Sequence, residues 1–184
     1  MFAQAGVKYE DVRIKQENWP ELKPNTPLGH LPILEVDGKT ICGSTGIARF
    51  LAERFGLAGS NDIENAQIFG FVNEATDLLE KAFKSIFEKD EAKKAELVKE
   101  LQEKTFPSVL GNFGKQANTS GAPEGWMFGK PTYADFYLYT ALEIILKQMP
   151  TLLDKLPTLK KQHASVEALP NIAKWLKERP ETPF

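Results

Sequence analysis

Two dipeptides carry residue types suited to holding a small, charged, peptide-like ligand: Leu31-Pro32 and Gly43-Ser44. A proline entering a strand cannot donate to a ladder, so Pro32 belongs at an edge or in a cis turn. With a cis bond, the Leu31 N–H and C=O face open space and can pair with an extended peptide. A strand that merely starts with proline is the alternative. Ser44 opens a helix, where serine commonly satisfies orphan N–H groups. Those same N–H groups and the positive end of the dipole form an anion site. Gly43 lets a ligand approach the backbone closely. A carboxylate held by the Ser44 hydroxyl and N–H would gain charge-assisted bonds of about 1.5–3 kcal/mol each. Plain capping competes with that explanation.

Trp19 and Lys23 fall in the Pro-rich stretch Glu17-Asn18-Trp19-Pro20-Glu21-Leu22-Lys23-Pro24. Their indole N–H and ammonium suit a second carboxylate, against the plainer reading of a packed ring and a solvated charge. His30 stands just before the proline turn, placed either to touch a ligand or to cap the turn. Asp77 lies at the polar border of a helical stripe and reads as a solvated charge. His163, on a polar helix, reads as surface. Cys42 ends an apolar strand and reads as a small, inert, buried hydrophobe, since a reactive thiolate needs exposure and a nearby cation.

The elements that must position these residues divide the chain in two. Up to about Gly59 the text is short and broken by Pro and Gly. Val7 to Ile14 reads as a strand, Leu31 to Val36 as a second and Lys39 to Cys42 as a third. Asp37-Gly38 joins the last two as a hairpin, because a two-residue reversal needs positive φ. From Ser44, the residues Ile47, Ala48, Phe50, Leu51 and Phe55 form a helical stripe that Gly56 terminates.

From Asn61 onward the pattern is helical. Ile68, Val72, Ala75, Leu79, Ala82 and Ile86 lay one apolar stripe along a long helix. The charged segment Lys89 to Glu96 is expected to turn the chain. A second long helix carries Leu97, Leu101, Val109, Leu110 and Phe113, with Pro107 placed to kink it. Asn118 to Gly129 reads as a loop. Thr132-Tyr133-Ala134-Asp135 is a capping box, and the helix it opens, apolar on nearly every side, is the expected buried centre of the domain. Pro150, Pro157 and Pro170 punctuate shorter helices. The boundary falls at Ala58-Gly59-Ser60, giving an α/β unit over 1–59 and an all-helical unit over 60–184.

A formal net charge of −2 supplies no attraction for nucleic acid or an anionic membrane. No apolar run is long enough to cross a bilayer, and the start lacks the features of a secretory signal. One cysteine excludes an internal disulfide, and two widely separated histidines offer no metal constellation. A cytoplasmic protein without metal is the expectation.

Taken in order, several motifs resemble sigma-class glutathione transferases. They are Ala5-Gly6-Val7-x-Tyr9-Glu10-Asp11-Val12-Arg13, Trp19-Pro20-x-Leu22-Lys23-Pro24 and Pro27-x-Gly29-x-Leu31-Pro32-x-Leu34-Glu35-Val36-Asp37-Gly38, followed by Ser44-x-x-Ile47-Ala48-Arg49-x-Leu51-Ala52 and Thr132-Tyr133-Ala134-Asp135-Phe136. The resemblance spans essentially the whole chain. It implies a thioredoxin-like glutathione-binding domain followed by a helical domain, with glutathione as co-substrate, a hydrophobic electrophile as second substrate, and a homodimer.

By matched position, Leu31 before Pro32 would pair its backbone with the cysteinyl unit. Ser44 with Gly43 would hold the γ-glutamyl carboxylate, and Trp19 and Lys23 the glycyl carboxylate. Asp77 would reach the ligand's amino group across a two-fold interface. The family usually has Gln where His30 and Gly43 stand, so an amide contact is lost or replaced at each.

The resemblance further implies that a strand and most of a helix should precede Phe2-Ala3-Gln4-Ala5-Gly6, leaving the thioredoxin-like domain incomplete. The tyrosine that donates to the glutathione sulfur would lie upstream of Met1, so the chain itself supplies no catalytic residue. Impaired turnover, unpaired sheet edges, and either poor solubility or a disordered amino-terminal unit are the expectations. The alternatives are a non-catalytic, crystallin-like or binding relative and a glutathione-dependent prostaglandin D isomerase.

Overall fold

The computed structural model describes residues 1–119, 125–147 and 149–180, with only the backbone of Asn118 and Thr119. The chain forms two compact units, Met1–Ala58 and Gly59–Phe184.

In the first unit, β1 (Ile33–Val36) and β2 (Lys39–Cys42) form an antiparallel hairpin that pairs Val36 with Lys39 and Ile33 with Cys42. Asp37 (φ 51°) and Gly38 (φ 71°) make the reversal, both in the left-handed region that a primed turn requires. Helix α1 (Ser44–Phe55) follows and ends on Gly56 at φ 69°. It buries Ala48, Leu51 and Ala52, and lies against both strands.

One expectation fails here. Val7–Ile14 forms no strand, and Val12 is 68% exposed. Its β-branched residues favour pleated backbone, but a strand exists only where another strand meets it, and none does among the described residues. The Pro-rich stretch is helical. Gln16–Asn18, Trp19–Leu22 and Lys23–Asn25 are three consecutive short helical turns. Pro20 and Pro24 occupy first-turn positions, where a missing N–H costs nothing.

The second unit is all-helical among the described residues. Its helices are α2 (Asp62–Phe87), α3 (Glu91–Glu100), α4 (Phe106–Thr119), α5 (Tyr133–Leu146), α6 (Pro157–Glu167) and α7 (Pro170–Glu178). Helix α2 buries Ile68, Phe71, Val72, Ala75, Leu78, Ala82 and Ser85, so its inner face runs through Leu78 and Ser85 where Leu79 and Ile86 were expected. The helix breaks at Glu88–Asp90, at the start of the segment expected to turn the chain, but the rest of that segment, from Glu91, is helical. Asp90 accepts the N–H groups of Ala92 and Lys93 at 2.9 and 3.1 Å, and α3 begins at once. Just ahead of Pro107, where a kink was expected, a π-helical turn, Leu101–Thr105, stands immediately before α4. Proline cannot donate to a carbonyl four residues back, and its ring crowds that carbonyl, so the turn widens. Helix α4 continues to Thr119, two residues into the loop expected from Asn118. Residues 120–124 of the expected loop lie outside the described residues.

Helix α5 is the buried centre, as its composition predicted, with nine residues from Tyr133 to Ile145 out of solvent. Its capping box is present. The fully buried Asp135 carboxylate accepts the Thr132 N–H at 2.9 Å, the Thr132 hydroxyl at 3.0 Å and the Met127 N–H at 2.8 Å. Gln162 on α6 donates to the Asp135 carbonyl at 3.1 Å. Burial pushes the carboxyl above its ordinary range, and the donors from Met127, Thr132 and Gln162 oppose that shift.

Asp135→Ala would orphan two buried N–H groups, each worth about 1–3 kcal/mol. The expected loss is about 2–5 kcal/mol, read from urea unfolding of the full chain. An unchanged midpoint would show that the carboxylate is not what holds this end of α5.

Candidate functional site

The hairpin and α1 position the first group of candidate residues. The Leu31–Pro32 bond is cis. The Gly43 N–H donates to the Pro32 carbonyl at 3.0 Å, which ties the entry of β1 to the start of α1. In an antiparallel ladder, closely spaced bonded pairs recur at every second residue. With Val36 opposite Lys39 at the two-residue turn, those pairs fall at 36/39, 34/41 and 32/43. The main-chain groups of Ile33 and Glu35 therefore point away from β2. Leu31, 41% exposed, makes no backbone hydrogen bond among the described residues. Its N–H and C=O are open to an extended chain.

The helix start differs from expectation in one respect. Gly43, not Ser44, is the N-cap, and no side chain caps the helix. Gly43 sits at φ 83°, ψ 137°, a conformation that side chains rarely adopt. Ser44 is the first helical residue and is exposed. Within the helix, the Ile47 N–H is the first to find its carbonyl, that of Gly43 at 3.0 Å. The Thr45 and Gly46 N–H groups, with no carbonyl behind them, point at the space before the helix.

The neighbouring candidates gather there. A Cβ on Gly43 would lie 4.0 Å from His30 Cε1, and one on Gly29 would lie 3.8 Å from Lys23 Cε. His30, Pro32 and Lys23 are exposed, and Trp19 is half-buried on its short helical turn. The Thr26 hydroxyl donates to the Lys23 carbonyl at 2.8 Å and fixes the chain between the lysine and the proline turn. Cationic Lys23, the imidazole, the open Leu31 backbone and the helix start thus all belong to one small unit. That set can hold a peptide-like ligand bearing carboxylates. Cys42 closes β2 half-buried, one residue from this helix start. Asp77 is exposed on α2 of the second unit.

A second cluster was not legible in the sequence. His163 Nε2 lies 3.1 Å from Glu143 Oε1, and His163 Nδ1 lies 3.8 Å from Glu167 Oε2. Sequence reading placed His163 on the surface and found no metal constellation, yet its side chain is only 13% exposed and two carboxylates flank it. The spacing of His163 and Glu167, four apart on α6, was the available signal. Glu143, twenty residues earlier on α5, could be brought in only by the packing of those helices. The hydrogen bond from His163 holds the Glu143 carboxyl below its ordinary 4.5, assisted by the His163 and Arg179 charges against burial. The Tyr139 hydroxyl is driven well above its ordinary value, first by burial and then by Glu143 and Glu167.

Because the Glu143 pKa is depressed in the folded state, its contribution is present above its unfolded value. It is lost as pH falls through the lower folded value. Glu143→Gln should flatten the loss of stability below about pH 4.5, read from urea midpoints across an acid series. Identical acid limbs for both proteins would count against the pairing.

Comparison with known proteins places both units in one family. Residues 2–60 match the glutathione S-transferase N-terminal domain, and residues 76–179 match the glutathione S-transferase C-terminal domain. The chain is 39% identical to Glutathione S-transferase 1 of Ascaris suum over 188 residues, covering 100% of this chain and 90% of that one. It is 39% identical to the hematopoietic prostaglandin D synthase of Gallus gallus over 187 residues, covering 99% and 89%. Among solved structures, the prostaglandin synthase D of Nilaparvata lugens superposes with a TM-score of 0.91 at 35% identity, covering 98% and 90%. The glutathione S-transferase of Ascaris lumbricoides gives 0.90 at 38%, covering 100% and 90%.

Proposed function

Because the chain belongs to the glutathione S-transferase family, we propose that it binds glutathione as co-substrate in its thioredoxin-like unit and delivers the thiol to a hydrophobic electrophile. Leu31 beside Pro32 pairs its backbone with the cysteinyl unit. Gly43 and Ser44 receive the γ-glutamyl carboxylate, and Trp19 and Lys23 receive the glycyl carboxylate. His30 stands where the family usually has Gln and faces the same space. The bond from Gly43 to the Pro32 carbonyl is the observation that carries this assignment, because it holds the two main-chain contacts in fixed register.

The finer reading is a sigma-class, cytoplasmic, detoxifying homodimer in which Asp77 reaches the amino group of glutathione held by the second copy. Its support is the order of motifs from Ala5 to Asp135. The prostaglandin D synthases among the relatives support a second substrate class, a prostaglandin endoperoxide.

A binding role with weak turnover is favoured for this polypeptide by the state of its tyrosines. The sequence holds four. Tyr137 accepts from the Thr76 hydroxyl at 3.0 Å, and Tyr139 donates to Glu167 at 3.2 Å. Tyr133 is buried, and the Tyr9 ring stacks on Phe2 at 4.8 Å. None of them stands out as a donor to the glutathione sulfur. An unassisted thiol, with a pKa of about 8.5, is only a few per cent ionised at neutral pH.

The chain should be retained on immobilised glutathione and released by free glutathione. Ser44→Ala should weaken binding roughly tenfold, the loss of one charge-assisted bond. Conjugation of 1-chloro-2,4-dinitrobenzene should be slow compared with binding. Failure of the unmutated chain to bind would sink the assignment, and rapid conjugation would sink the weak-turnover reading alone.

A further inference from the structure

The Glu143, His163 and Glu167 side chains include none of the residues assigned to glutathione, and they meet between α5 and α6 of the second unit. One ligand atom from each falls within 4.8 Å of the other two. The 3.1 Å separation of His163 Nε2 and Glu143 Oε1 suits a hydrogen bond, and it equally suits two ligands of one ion at bonds of about 2.0–2.2 Å. Glu167 Oε2 lies 3.8 Å from the other ring nitrogen, Nδ1, too far for a hydrogen bond. One imidazole gives an ion one nitrogen, so Glu167 reaches an ion held at Nε2 through a small movement of its exposed side chain.

Each ligand is also held from behind. The Tyr139 hydroxyl donates to Glu167 Oε1 at 3.2 Å, leaving Oε2 toward the imidazole. Arg179 approaches Glu143 Oε2 at 3.5 Å, leaving Oε1 toward the imidazole. The imidazole itself lies against the Tyr139 ring, centroids 4.6 Å apart. Outer partners that fix the unused oxygens and the ring orientation are what a metal site requires beyond its ligands. Two carboxylates against one guanidinium leave the cluster net negative while the imidazole is neutral. Glu167, with 46% of its side chain exposed, gives an ion a route from solvent.

We propose that Glu143, His163 and Glu167 form a binding site for a divalent transition-metal ion of the zinc class, pinning α6 to α5. One imidazole with two carboxylates selects that class over magnesium and calcium, which prefer all-oxygen shells. Three protein ligands leave a fourth position for water.

The test uses the full chain, stripped with a chelator, titrated with zinc by calorimetry and with cobalt by visible absorption. Saturable binding of one ion per chain is expected, with cobalt bands of a low-coordinate site. Glu167→Gln, at a half-exposed position that leaves the fold intact, should weaken binding at least about tenfold, as should His163→Gln. Tyr139→Phe, acting on a ligand's orientation, should weaken it by about tenfold. Cys42→Ser should leave it unchanged. No saturable binding by the unmutated chain would overturn the proposal. So would binding that survives both ligand substitutions in chains with unchanged circular dichroism, or binding that disappears with Cys42→Ser.

Discussion

A single main-chain bond, Gly43 N–H to the Pro32 carbonyl, governs the site. On one side of it is a proline that cannot donate, and on the other a glycine in a conformation closed to most side chains. Between them they bring an open strand backbone and an open helix start to the same small region. Neither supplies much alone. A lone edge residue offers two weak contacts, and a lone helix start is an ordinary feature of folded proteins. Their fixed register makes both available to one extended ligand, and Lys23 and His30 add side-chain chemistry beside them.

The helical unit has its own anchor of a different kind. Asp135 is buried, and every oxygen it offers is met by a donor from Met127, Thr132 or Gln162. Burial opposes ionisation and the donors favour it. A carboxylate in that balance specifies geometry strictly, since any donor left unmet inside the protein is expensive. Apolar packing of Ile68, Val72, Leu138 and Leu142 supplies the bulk of the cohesion, and the polar knot sets which turn of α5 comes first.

Local chemistry in the sequence was a good guide wherever structure is decided locally. Asp37-Gly38 gave the hairpin, Gly56 the end of α1, and Thr132 with Asp135 the start of α5. It failed where a distant partner decides. Val7–Ile14 has strand-forming residues and, among the described residues, no strand beside it. The inner face of α2 runs through Leu78 where periodicity favoured Leu79, because a stripe read at a fixed spacing cannot resolve neighbouring positions. Trp19 and Lys23 were legible as residues of interest, but their short helical turns were hidden by prolines that usually signal loops. For the site itself, Leu31, Pro32, Gly43 and Ser44 were visible from type and spacing, and the cap at Gly43 was not. The meeting of Glu143 with His163 and Glu167 depends on how α5 lies on α6, which no local pattern encodes.

The widened turn before α4 has a consequence for phase. Leu101, Phe106, Leu110, Phe113 and Ala117 are all buried, at spacings of five, four, three and four. A continuous α-helix would swing the first of these well around the cylinder from the rest. The π-helical turn absorbs one additional residue, so Leu101 shares the inward face of α4. An irregularity imposed by Pro107 thus works as a register shim: the chain gains a residue of length while α4 keeps its apolar side inward.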